Sequence, residues 1–111
     1  FAPQADPALV EEELTHYAEV SADLLFQDFT ACNEFDMIDE LASVAVPALL
    51  IVGEHDRLTP LKNSRFLEDN LTRAQLMIIP DAGHFAMLEK PGLVNQAIQQ
   101  FLRQLKTSTL D

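Results

Sequence analysis

The 111-residue chain has one cysteine, three glycines and no lysine or arginine before position 57. A lone cysteine, Cys32, cannot form an internal bridge, so the chain is not a disulfide scaffold. Cys32 itself is expected to be a small buried hydrophobe rather than a nucleophile, since no neighbour in sequence would lower its pKa. Long apolar runs are missing too. Nothing approaches the ~18–20 residues that a membrane helix needs, so no membrane span is expected. Basic residues number 7 against 18 acidic ones, for a net charge of −11 and a pI near 4.4. Such a surface repels phosphate backbones, which argues against generic nucleic-acid binding. Asp56, His55 and His84 lack a recognised metal-ligand spacing, and neither a metal nor another cofactor is expected.

What is present is ordinary for a packed protein: 48% hydrophobic and 23% charged residues. That is enough apolar surface to exclude a disordered chain, and the length suggests one domain. The charge is uneven. Residues 1–56 carry 13 acidic residues and no basic one, while residues 57–111 carry all 7 basic residues and 5 acidic ones. The plain reading is a solvated acidic helix face. The first residue is Phe1 rather than Met, with neither a basic leader nor an apolar signal core behind it, so a piece of a longer chain of cytoplasmic origin is expected.

Local patterns divide the chain. Asp6-Pro7 predicts a helix start, with Asp6 as N-cap and Pro7 where its missing N–H costs nothing. Val10, Leu14, Tyr17, Ser21 and Leu24 recur at helical spacing, and helix is expected to continue, with a break, to about Ala31. A short helical turn is expected over 37–42. Val46-Pro47-Ala48-Leu49-Leu50-Ile51-Val52-Gly53 is a brief apolar run opened at a proline and closed at a glycine. It predicts a buried parallel strand. Thr59 and Pro60 predict the N-cap and first residue of a helix to about Asn70. Gln75 to Ile79 predicts a second strand. Pro91 opens a last helix with Val94, Ala97, Ile98, Phe101, Leu102 and Leu105 on one face.

Strand alternating with helix is the α/β pattern. Two strands joined through a helix must be parallel, yet a two-stranded sheet is marginal alone. Residues 45–111 therefore read as the edge of a larger sheet.

Two side chains stand where α/β sheets keep their sites, just past the strand ends. Asp56 follows the first strand in Gly53-Glu54-His55-Asp56. His84 follows the second in Pro80-Asp81-Ala82-Gly83-His84-Phe85. Adjacent parallel strands would bring both loops to one edge. Asp56 could then bond one imidazole nitrogen of His84, leaving the other to act as a general base. Gly83, without a Cβ, would allow the sharp turn that aims His84 over the sheet.

Pro47 to Leu105 resembles the C-terminal part of the α/β-hydrolase fold. The matching pieces are Pro47-Ala48-Leu49-Leu50-Ile51-Val52-Gly53-Glu54-His55-Asp56, Pro60, Ala82-Gly83-His84, Leu88-Glu89-Lys90-Pro91 and Phe101-Leu102. Each is weak alone, and their order and the 28-residue spacing of Asp56 and His84 carry the likeness. The resemblance implies that Asp56 is the acid and His84 the histidine of a Ser-His-Asp triad. It implies that the strands are the last two of a larger sheet. It also implies that residues 1–44, including Asn33-Glu34-Phe35-Asp36, are a helical cap remnant and its return to the core.

The family's nucleophile sits in Gly-x-Ser-x-Gly. Ser21, Ser43, Ser64 and Ser108 all lie outside such a motif, which Gly53, Gly83 and Gly92 cannot build. The isolated chain is thus expected to be inactive, while the parent enzyme would cleave carboxylic esters or lactones. A carbon–carbon bond hydrolase is the alternative, ranked lower because those enzymes often carry Trp where this chain has Phe85. A second alternative is a non-enzymatic module associating with another copy, or with the missing N-terminal half, through exposed strands. Phe85 is the candidate for the substrate pocket. Phe26, Phe29, Phe35 and Met87 could join it, though core packing is the expected role. His55 reads as a variable loop residue and His16 as solvent-facing.

Overall fold

In the computed structural model residues 1–34 and 36–110 are described; Phe35, named above as a pocket candidate, lies outside them. The order is α1 (Pro7–Ala18), α2 (Ala22–Glu34), a 3-10 helix (Ile38–Ser43), β1 (Ala48–Gly53), α3 (Leu61–Asn70), β2 (Ala74–Ile79), α4 (Ala86–Glu89) and α5 (Pro91–Leu110).

Asp6 caps α1 as its sequence suggests, accepting the Ala8 N–H at 3.0 Å with Pro7 in the first turn. The expected break falls at residues 19–21, where the Ser21 hydroxyl accepts the Leu24 N–H at 3.1 Å and restarts the chain as α2. The apolar stripe of α1 finds no core. None of its residues is buried; Leu14 and Tyr17 stay exposed, as does Leu24 of α2. Cys32 corrects the sequence reading: it is exposed, on a helix whose Phe26 and Phe29 are exposed as well.

β1 and β2 form a two-stranded parallel sheet, in register from Ala48 opposite Ala74 to Gly53 opposite Ile79. The crossover helix α3 and the C-terminal α5 both pack on the strands. Ile79, Ala82, Ala86 and Val94 form the core cluster, with Ile51 against it. Burying Ile79, only 1% exposed, contributes about 1.5–3 kcal/mol. The apolar face of α5 is narrower than its sequence implies. Val94 and Ala97 are buried, whereas Ile98 and Leu102 face outward. The first strand is less buried than expected, with only Val52 and Gly53 fully covered, and in β2 Met77 is exposed and only Ile79 is covered. With two strands the sheet has too little around it to cover both of its faces. Among the described residues, no helix is long and apolar enough to cross a membrane.

Candidate active site

Parallel pairing fixes where the site forms. Because Gly53 lies opposite Ile79, the loops after β1 and β2 leave the sheet at the same edge. They are then bonded backbone to backbone. The Glu54 N–H donates to the Ile79 carbonyl at 2.9 Å and the His55 N–H to the Ala82 carbonyl at 2.8 Å. The approach is close enough that a Cβ on Gly53 would sit 2.1 Å from the Gly83 carbonyl oxygen.

Asp56 is buried, at 9% exposure, and every lone-pair direction of its carboxylate is used. Oδ1 accepts the Leu58 N–H at 3.0 Å and the Thr59 N–H at 2.9 Å. Oδ2 accepts the Thr59 hydroxyl at 2.9 Å. His84 Nδ1 lies 3.0 Å from Oδ2 and 3.3 Å from Oδ1. Burial alone would raise the Asp56 pKa. The Thr59 backbone bond, the His84 ring and the Thr59 hydroxyl outweigh it and hold the carboxyl below its ordinary value. An ionised carboxylate only accepts, so Nδ1 must carry the proton in this bond. Nε2 is then the nitrogen left to take a proton, on a side chain that is 37% exposed.

Sequence reasoning missed Thr59, which it placed as a helix cap. The structure corrects this: Pro60 is the N-cap of α3, with no side-chain bond, and the Thr59 hydroxyl turns to Asp56 instead. It also lies 3.3 Å from His84 Nδ1. The signal was available as Asp-x-x-Thr, because a carboxylate closes a turn readily on the backbone N–H groups two and three residues on. Gly83 does not make the sharp turn expected of it through a conformation reserved to glycine. Among the described residues no glycine has positive φ, and the left-handed residue of this loop is Asp81, with φ 54°. Asp tolerates that conformation. Gly83 is required because a Cβ there would meet the Phe1 and Ala2 backbone at 2.6–2.8 Å.

Phe85 packs on three rings: Phe1 at 5.0 Å, His84 at 5.4 Å and Tyr17 at 6.4 Å. Phe26, Phe29 and Met87 are exposed, which corrects the expectation that they pack in a core. A cavity of about 390 Å³ opens beside Asp56, lined by Phe1, Pro3, Glu54, His55 and Arg57. Neither His84 nor Phe85 is among the residues that line it. His55 Nε2 sits 3.5 Å from Glu54 and 3.8 Å from Asp81, and is held apart from the Asp56–His84 pair. His16 is exposed beside Glu13. Among the described residues, no group of three or more His, Cys, Asp or Glu side chains could hold a metal.

Known proteins share this arrangement of strands and loops. The family model described as the alpha/beta hydrolase fold matches residues 12–91. RutD of Pseudomonas syringae pv. syringae (strain B728a), provisionally named a carbamate hydrolase, is 31% identical over 99 residues, covering 86% of this chain and 38% of that protein. The 3-oxoadipate enol-lactonase 2 of Acinetobacter baylyi is 26% identical over 98 residues, covering 88% of this chain and 36% of that protein. A solved thermophilic esterase is 38% identical with a TM-score of 0.68, covering 74% of this chain and 34% of the other. The chain thus spans little more than a third of the length of these relatives.

Proposed function

The chain belongs to the α/β-hydrolase fold family, and from that premise we propose that it supplies the acid and the histidine of a Ser-His-Asp triad to an enzyme cleaving carboxylic esters or lactones. The observation that carries this reading is the 3.0 Å bond between His84 Nδ1 and a buried, fully hydrogen-bonded Asp56. The bond fixes the tautomer and stabilises the imidazolium that forms when Nε2 takes a proton. A serine activated by Nε2 would attack the carbonyl carbon, and the protonated His84 would then give its proton to the leaving oxygen. Water, deprotonated by the same nitrogen, would release the acyl group. Relatives carry names for ester, enol-lactone and, provisionally, carbamate hydrolysis, each a cleavage at a carbonyl carbon, which supports this substrate class.

The serine and the oxyanion hole are not in this sequence, so the chain alone is expected to be inactive. We assign residues 1–44 to a helical cap and its return, and 45–111 to the core segment. This division is supported by the shallow packing of α1, which buries none of its residues. The uncovered strands would meet the missing N-terminal half or, in its absence, another copy.

The test joins this chain to the complementary N-terminal portion of the thermophilic esterase and assays a chromogenic short-chain ester. Hydrolysis that vanishes in His84→Ala is the expected result. A folded chimera with no activity toward ester, lactone or carbamate would overturn the proposal.

A further inference from the structure

The Leu88-Glu89-Lys90-Pro91 stretch has no part in the Asp56–His84 pair, yet its carboxylate reaches back to the histidine loop. Glu89 ends the one-turn helix α4, which the Lys90 N–H closes onto the Ala86 carbonyl at 2.8 Å. From there Oε2 accepts the Gly83 N–H at 2.9 Å, and Oε1 accepts the Ala2 N–H at 2.8 Å. Gly83 is the residue before His84, and both Gly83 and Ala2 are buried. One carboxylate therefore joins the start of the chain, the histidine loop and the helix that follows it.

We propose that Glu89 is a positioning residue for His84, an inference that rests on reading His84 as the proton carrier. A buried backbone N–H without an acceptor is costly, and water reaches this one poorly. An ionised acceptor makes stronger bonds than a neutral one. Glu89 thus pins the peptide next to His84 from one side. The Phe1–Ala2 backbone closes the other side, 2.6–2.8 Å from where a Gly83 Cβ would be. With the peptide held, the imidazole meets Asp56 at bonding distance instead of swinging over an open sheet edge. Glu89 acts on His84 through the backbone and does not touch its ring.

NMR of the full chain labelled with 15N tests this. In the unmodified chain the Gly83 and Ala2 amides are expected to exchange slowly, and His84 is expected to show a protected Nδ1–H resonance. Glu89→Gln keeps the size but sets an NH2 group against one of the two N–H donors. Exchange at Gly83 should rise about tenfold or more, and the His84 Nδ1–H resonance should broaden or disappear, while α5 amides keep their protection. If Glu89→Gln fails to fold, Glu89→Asp, one methylene shorter with the charge kept, is expected to show the same two changes in smaller measure. An unprotected Gly83 amide in the unmodified chain overturns the proposal without any variant. Asp56→Asn separates the two readings. It places an amide NH2 opposite Nδ1 and should abolish that resonance without exposing the Gly83 amide. If Asp56→Asn leaves the resonance intact, the Asp56–His84 reading fails. If Asp56→Asn abolishes it and Glu89 variants change neither signal, the Glu89 proposal alone fails.

Discussion

Thr59 and Asp56 are joined twice, the Thr59 N–H to Oδ1 and the Thr59 hydroxyl to Oδ2, both at 2.9 Å. This pair of hydrogen bonds between residues three apart fixes the plane of the Asp56 carboxylate that faces His84. Thr59→Val keeps the shape and the backbone bond but removes the hydroxyl. It should cost about 1 kcal/mol of stability, read from urea unfolding. An unchanged midpoint would show that the hydroxyl bond contributes nothing.

Gly53→Ala should be far more damaging. Its Cβ would meet the Gly83 carbonyl oxygen at 2.1 Å and the Ala82 carbonyl oxygen at 2.4 Å, both fixed backbone atoms. The two site loops would have to part, at a cost of about 1–3 kcal/mol. Gly92→Ala is the control. Nothing lies within 4 Å of its added Cβ, and alanine suits the first turn of α5, so the change should be neutral or mildly stabilising. Equal losses for both would refute the close-approach argument.

Acid should weaken the chain in a way that depends on Asp56. Its carboxyl is held below the ordinary value of 3.8 when folded. That contribution is therefore complete above 3.8 and is lost as pH falls through the folded value. Asp56→Asn should be less stable than the unmodified chain near neutrality, and the gap should shrink on acidification below about pH 4. A gap that stays constant through acid unfolding would contradict the assigned direction.

The chain alone should self-associate as its concentration rises. Among the described residues each strand keeps one unpaired edge, and Phe26, Phe29 and Leu102 are 73%, 67% and 57% exposed. Open edges beside apolar side chains favour pairing with another copy. Sedimentation over a wide concentration range measures this, and a monomer throughout would count against it.

The elements with strong local chemistry were legible in the sequence. The Asp6-Pro7 start, the two apolar strands and the Pro91 start all fall within a residue or two of expectation. So was the meeting of Asp56 with His84, since parallel pairing leaves the two loops nowhere else to go. Less legible was whatever depends on neighbours far along the chain. Cys32 was read as buried from its residue type, and Ile98 and Leu102 were placed on one apolar face; all three are exposed, because apolar character reports a capacity to be buried, not the presence of something to be buried against. The Thr59 hydroxyl had two partners in reach by sequence, a helix end and a carboxylate, and the carboxylate won because it bears the charge. Glu89 could not have been paired with Ala2 by pattern, because 87 residues separate them.

The parallel register has a consequence for how such sites vary. The 28-residue offset from Asp56 to His84 spans one helix and one strand, α3 and β2, and the 3.0 Å contact does not depend on that count. Lengthening the turn between α3 and β2, where Leu71 to Arg73 lie at the opposite end of the sheet, would shift every later residue number without moving either loop. The spacing is thus free to vary while the strand pairing is not. A tolerant linear pattern would find such pairs where a rigid one misses them, and added residues at that turn offer a place to graft a tag without disturbing the histidine.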